Sequence, residues 1–331
     1  MKVWDLHCDT LSELRYAEND GRELGFAKNN LQIDLERLRK GDYLLQCFAV
    51  FVNLSRDRHD PLKAFMEQAD IFHRLLAKYK DDLMQVCTPE DIRALPASGK
   101  IGAMLTIEEG AVCLDDVRVL RNLYRLGVRM MTLTWNHENG LASPNSVPDN
   151  AYSVWPSHPV TDKGLTEKGI EFLKEMERLH MILDVSHLSD GGFWDVVKYS
   201  KRPFVASHSD ARAICGHCRN LTDDMIRAMA ERGGLIGLNY CASFLDPSED
   251  RDHVTSKISD MVIHARHLMD VGGEDILALG SDFDGIEGEL EIAGAQDMPK
   301  LAEGFLKAGF SETLVEKIFY KNAMRFFEEN L

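Results

Sequence analysis

The chain is predicted to be an α/β protein folded as a (β/α)8 TIM-like barrel, and three observations predict it. Apolar, β-rich runs alternate about eight times with segments of helical periodicity along the whole chain. Residues of metal-binding type stand where several of those runs end, which is the end of the strands where this fold carries its chemistry. No GxGxxG follows an early strand, so a doubly wound open sheet lacks its usual support. No linker rich in Gly, Pro or Ser divides the chain, and residues 1–331 are expected to form one barrel domain.

In chain order, the expected strands are Lys2–Asp9, Leu44–Val52, Ile101–Ile107, Val128–Trp135, Met181–His187, Phe204–Ser209, Gly234–Tyr240 and Ile276–Asp282. Between them, Phe65, Ala69, Phe72 and Leu76 recur at helical spacing within Pro61 to Lys80, as do Ile170, Leu173, Met176 and Leu179 within Leu165 to Leu179. Two polar stretches interrupt the rhythm on the active-site side. Asn136 to Lys163, with Pro144, Pro148, Pro156 and Pro159, is expected to be an ordered loop over the barrel mouth. Ala242 to His253, with Asp246-Pro247-Ser248-Glu249-Asp250, is a shorter acidic excursion after the seventh strand. A last helix, Ser311 to Glu329, should pack Leu314, Ile318 and Phe326 onto the barrel exterior.

A formal net charge of -16 argues against nucleic acid as a partner, because phosphate backbones are held by clustered Lys and Arg. Met1-Lys2-Val3-Trp4 leads straight into the first motif without a signal-peptide pattern. No apolar run is long enough to span a bilayer, and the C-terminus lacks a lipid-anchor tail. A soluble, cytoplasmic protein without a membrane partner is the expectation. The seven cysteines are an odd, scattered set that suggests no disulfide framework. Cys215-Gly-His-Cys218 is a CxxC, but no second CxxC or HxxxH accompanies it as a structural zinc would require. A thiol-redox role would also need a small domain in which the pair opens a helix.

The chemistry is expected at the strand ends. His7 and Asp9 end strand one, Glu108 strand three, His187 strand five, His208 strand six and Asp282 strand eight. A strand alternates its faces, so His7 and Asp9 project together while Cys8 points away. One such histidine is usually a core residue, but joint placement of the whole set is hard to explain that way. Three histidines and two carboxylates exceed what one catalytic zinc requires, so two zinc ions are inferred, with Glu108 as the bridge. His7, Asp9 and Glu108 would hold one ion, and Glu108, His187 and His208 the other. Two dications less two ligand carboxylates leave about +2, enough to hold a bridging hydroxide and polarise a carbonyl. That is hydrolase chemistry, and Asp282 is then free to carry protons as base and acid.

The chain resembles the renal (membrane) dipeptidase family of binuclear zinc peptidases, a branch of the amidohydrolase-like barrels. The resemblance spans DLHCDT (5–10), IEEG (107–110), TLTWN (132–136), LDVSH (183–187), SHSDAR (207–212), RN (219–220), GSDFDG (280–285) and KNAMRFFE (321–328). It implies a dipeptidase, with the same metal ligands His7, Asp9, Glu108, His187 and His208, and with Asp282 as proton shuttle. It also implies that Arg219 clamps the substrate carboxylate, a task suited to the bidentate guanidinium. Such a clamp would confine the substrate to a small dipeptide, the L-D kind included. Members are often dimers, which leaves a homodimer open here, although no interface signal stands in the sequence.

Two positions depart from the family. Trp135 occupies the place where vertebrate members carry a histidine after Thr-Leu-Thr, and His137, two residues on, is the candidate substitute in substrate binding. Glu109 stands where many members have glycine, and it adds a charge beside the bridge. Asp5 shares the face of His7 and is a candidate orienter of that ligand. Related amidohydrolases use HxH on strand one, whereas this chain reads His-Cys-Asp. An N-acyl amino acid or another small amide bearing a carboxylate is the alternative substrate.

Overall fold

The computed structural model describes residues 1–145, 158–248, 250 and 253–331. Nine parallel strands form one sheet, and without the short strand Leu83–Gln85 the other eight close into a ring. These are β1 (Val3–Asp5), β2 (Tyr43–Phe51), β3 (Ile101–Glu108), β4 (Val128–Thr132), β5 (Ile182–Asp184), β6 (Val205–Ala206), β7 (Leu235–Leu238) and β8 (Leu277–Leu279). Asp5 pairs with Leu279 where the first and last strands meet. The longest register joins β2 to β3, from Leu45 opposite Gly102 to Phe51 opposite Glu108. Each of the expected runs overlaps one barrel strand. Leu83–Gln85, which the sequence reading passed over, pairs with the start of β3 from Ile101 to Ala103.

The strands read as near-continuous apolar runs because both faces are covered. One core cluster takes a side chain from each strand, namely Trp4, Leu45, Met104, Met130, Ile182, Val205, Leu235 and Ala278. It is the filled interior expected of such a ring. Alternate residues such as Phe48, Val50, Leu105 and Met131 belong to the larger cluster shared with the surrounding helices.

Helix Pro61–Lys78 begins with Pro61 at its first turn and is capped by Asp60, whose side chain accepts from Lys63 N–H. Helix Glu167–Leu179 is capped by Thr166 and buries Phe172, Leu173 and Met176. The expected last helix is instead three pieces: Glu312–Glu316, a π-turn Lys317–Lys321, and Asn322–Asn330. Leu314 and Ile318 pack in the outer layer as expected. Phe326 does not. It joins the cluster inside the ring, beside Phe327, whose ring stacks on Trp4 at 5.6 Å. Among the described residues, no helix is long and apolar enough to cross a membrane.

Most strands are shorter at their C-terminal ends than the sequence suggests. β1 stops at Asp5, β5 at Asp184, β6 at Ala206 and β8 at Leu279, so His7, His187, His208 and Asp282 stand just past the ladder. Close backbone approach supports this rim: a Cβ at Gly237 or Gly280 would come within 1.9 Å of the Ser207 carbonyl. Of the long loop after β4, Pro148 and Pro156 lie outside the described residues, as does Glu249 in the excursion after β7.

Candidate metal centre

His7 follows β1 while the chain still runs alongside β8, with Cys8 bridged to Phe283. Asp9 has already left the strand, at φ -103° and ψ 16°, and precedes helix Thr10–Asn19 without capping it through its side chain. Strand alternation is therefore not what brings Asp9 to the side of His7. The turn into the helix does so, leaving Asp9 Oδ2 3.7 Å from His7 Nε2. Cys8 faces the outer core, as expected, and accepts a hydrogen bond from Thr10 Oγ1.

Glu108, the last residue of β3, divides its two oxygens between two groups of ligands. Oε2 lies 3.1 Å from His7 Nε2, and Oε1 lies 2.8 Å from His187 Nε2 and 3.6 Å from His208 Nε2. His7, Glu108 and His208 can direct ligand atoms at one ion, and so can His7, Asp9 and Asp282. All are buried. His7 Nε2 and Asp9 Oδ1 are buried without a hydrogen-bond partner, although carboxylates surround them. Orphaned acceptors of this kind fit metal coordination.

The electrostatics point the same way. Burial and the charge of Glu108 push Asp9 up to about 8, and burial raises Asp282 as well. Against its burial, His7 is driven well above its usual range by Glu108 and Asp9. Burial, with help from His7, holds His208 well below its usual range, and burial together with Arg219 lowers His187 to about 4. Burial opposes ionisation of Glu108, yet the surrounding histidines hold it well below the usual carboxylate range. Three carboxylates buried around one imidazole call for cations.

Two of the candidate ligands, His187 and His208, have a backing partner. His187 Nδ1 meets Asn136 Oδ1 at 3.0 Å. His208 Nδ1 meets Ser207 Oγ at 2.7 Å, and that hydroxyl donates to Asp184 Oδ2 at 2.5 Å. Asp184 also accepts from Thr132 Oγ1, Ser186 and the Ser207 N–H. These contacts leave the Nε2 atoms of both rings for a metal. Asp5 plays a different part from the one expected. It accepts from His7 N and from Ser281 N and Oγ, so it fixes the backbone across the β1–β8 seam without touching the imidazole ring.

Asp282, at φ 63°, accepts from Asn239 Nδ2 at 3.0 Å, and its other oxygen lies 3.8 Å from His7 Nε2. Arg219 is only 5% exposed, so it is not a surface charge. Its Nη2 lies 3.1 Å from the His208 carbonyl and 3.2 Å from His187 Nε2. Nη1 reaches Ser209 Oγ, Nε has no hydrogen-bond partner, and no carboxylate among the described residues pairs with the guanidinium within 4.0 Å. Asp9, Glu108, His187, Arg219 and Asp282 all line one cavity of about 550 Å³, a size suited to a small molecule.

His137 does not line this cavity; its Nε2 sits 3.0 Å from Ser55 Oγ. Its neighbours Trp135 and Asn136 do line it. Asn136 and Asn239 escaped the sequence reading because an amide is not a titratable metal ligand. The available signal was position, since Asn239 immediately follows β7. Cys215 and Cys218 donate to different carbonyls, Cys215 to Ser243 and Asp246, Cys218 to Asn145. Burial raises the Cys218 thiol to about 11, unlike a redox nucleophile.

Comparison with known proteins agrees with this geometry. The model of the membrane dipeptidase family, peptidase family M19, matches residues 1–330. An uncharacterised protein from the pqqA 5′ region of Klebsiella pneumoniae is 34% identical over 80% of this chain and 96% of its own. An uncharacterised dipeptidase of Schizosaccharomyces pombe is 35% identical over 76% of this chain and 61% of its own. A crystal structure of a Rhodobacter sphaeroides metallopeptidase, bound to a phosphinate mimic of the dipeptide L-Ala-D-Ala, superposes with a TM-score of 0.90 at 25% identity. The match covers 100% of this chain and 99% of that one.

Proposed function

The chain belongs to the membrane dipeptidase family of metallopeptidases, and we propose that it hydrolyses the peptide bond of dipeptides with two zinc ions held at the barrel mouth. The observation that carries the reading is the division of Glu108, one oxygen toward His7 and the other toward His187 and His208. His7, Asp9 and Glu108 would hold one ion, and Glu108, His187 and His208 the other. Bound there, the pair would supply Lewis-acid polarisation of a carbonyl and acidify a water.

The remaining steps fall to the chain's own groups. Arg219 binds the substrate carboxylate, because it is a buried guanidinium on the cavity wall with which no carboxylate among the described residues pairs within 4.0 Å. Asp282 takes a proton from the attacking water and returns it to the leaving amine. Its burial raises its affinity for that proton, and Asn239 orients the carboxyl. His137, held against Ser55, has no part in this scheme. Grip on a carboxylate close to the reacting centre limits the peptide to two residues. The ligand of the solved relative extends the reading to L,D-dipeptides as well as L,L. Seven free thiols suit a reducing, cytoplasmic setting.

The test is metal content together with hydrolysis of L,L- and L,D-dipeptides before and after chelation. Two equivalents of zinc and chelator-sensitive turnover are expected. Activity untouched by chelation, or protein that takes up no zinc, would sink the reading.

A further inference from the structure

Glu109 is fully buried directly after Glu108, with its backbone at φ 122°, a region most residues avoid. Its carboxylate is occupied by the start of two loops. Oε1 accepts from Ala111 N at 2.8 Å and from Asn139 Nδ2 at 2.5 Å, and Oε2 accepts from Trp135 N at 3.1 Å. Asn139 in turn donates to the Leu133 carbonyl and accepts from Leu141 N and Ala142 N. The loop after β4 is thus folded around Glu109, and its main chain at Trp135 has little freedom to shift.

The indole so positioned lines the cavity. Its ring meets Phe51 edge-on at 4.8 Å between centroids and lies 6.2 Å from the ring of His187. Phe51 ends β2 and also faces the cavity. Trp135 and Phe51 therefore form an aromatic wall over the β2–β4 side of the mouth. Arg219 lies at the end of β6, its Nη2 on the His208 carbonyl, across the eight-strand ring from β2 and Phe51. With a carboxylate at Arg219 and the scissile carbonyl between, the residue directed at the wall is the amino-terminal one.

We infer that Trp135, positioned by Glu109, is a specificity-determining residue that with Phe51 receives the side chain of the amino-terminal residue and favours large apolar groups there. The inference rests on the dipeptidase reading. Its physical basis is apolar contact: a flat indole and a phenyl edge gain from covering an aromatic or branched side chain and gain nothing from glycine.

The experiment measures kcat/KM of the zinc-loaded enzyme on Phe-Ala, Leu-Ala and Gly-Ala, and on Ala-Phe and Ala-Gly. Wild type should prefer Phe-Ala and Leu-Ala to Gly-Ala. Trp135→Ala should lower the Phe-Ala to Gly-Ala ratio by about ten-fold, in keeping with the discrimination apolar pockets achieve. Trp135→Phe should keep most of the ratio, and Phe51→Leu should lower it independently. Glu109→Ala should lower it too, and adding it to Trp135→Ala should cost no further selectivity, as expected of residues acting through one another. A ratio unchanged in both Trp135→Ala and Phe51→Leu overturns the proposal while dipeptidase activity stands. Movement of the Ala-Phe to Ala-Gly ratio instead overturns the assignment to the amino-terminal residue. A wild type that splits none of the peptides removes the dipeptidase reading itself, which is a different failure.

Discussion

His187 and His208 point their Nε2 atoms at each other across 3.0 Å, while Asn136 and Ser207 engage their Nδ1 atoms. With both Nδ1 atoms engaged by oxygen partners, the two Nε2 atoms converge on one point, a geometry that fits a shared cation. His208→Ala should therefore reduce bound zinc from two equivalents to about one and cut dipeptide turnover at least a hundred-fold, of the order seen when a catalytic group is lost. Metal analysis beside kinetics checks it, and retention of two equivalents would remove His208 from the ligand set.

Asp282 is bonded to Asn239 and sits 3.8 Å from His7, close enough to share an ion with it, whereas the proposed scheme gives it the proton. Asp282→Asn should keep the metals and lose roughly 10²–10⁴ in kcat, the usual contribution of a proton carrier. If zinc is lost together with turnover, Asp282 is a ligand.

Ser207 passes the influence of Asp184 to His208 through two short hydrogen bonds. Ser207→Ala should weaken zinc binding about 10–100-fold, as loss of a ligand's hydrogen-bond partner does, with little change in stability of the apoprotein. Competition against a chelator of known affinity measures this without relying on activity.

Gly285 lies so close to the site that an added Cβ would stand 2.0 Å from Asp9 Oδ2 and 2.8 Å from Asp282 Oδ1. Gly285→Ala should displace Asp9 and lower zinc uptake at the His7 side while leaving circular dichroism unchanged. Equal zinc uptake by this variant and wild type would show that the loop yields instead.

His264 provides a pH prediction away from the metal ligands. Its Nδ1 accepts from Ala211 N and its Nε2 donates to the Leu245 carbonyl, so the neutral ring ties the loops after β6 and β7 to helix Ile258–Gly272. Burial lowers it from the usual 6.5 to about 4. The unfolded chain therefore takes up a proton that the folded chain refuses. The stability His264 contributes is complete above pH 6.5 and declines as pH falls from 6.5 toward 4. Compared with His264→Gln, wild type should lose about 2 kcal/mol of its advantage between pH 7.5 and pH 5 in urea titrations. A difference that does not depend on pH would show that the ring is already charged.

The barrel was legible because each strand is covered on both faces, so Leu44–Val52 or Ile101–Ile107 stands out as a continuous apolar run. The candidate cluster at the barrel mouth was legible because His and Asp are costly to bury and so conspicuous at strand ends. The route of Asp9 into the site was not, since a residue at the start of a helix and one on a strand can look alike over three positions. Phe326 was misplaced because periodicity gives the apolar face of a helix but not which layer it meets. Trp135 and His137 were hard to separate for a related reason: the path of their loop is set by Glu109, a hydrogen-bond anchor with no pattern of its own in the sequence.

The seam at which Asp5 grips Ser281 joins the two ends of the ring, and His7 and Asp282 stand immediately above it. The proposed ligand His7 and the proposed proton carrier Asp282 thus come from strands separated by nearly the whole chain, and they stand together only after the last strand has docked. On the proposed scheme turnover is consequently a report on ring closure: loosening the joint between β1 and β8 would part the proton carrier from the metal site before it disturbed the other proposed ligands.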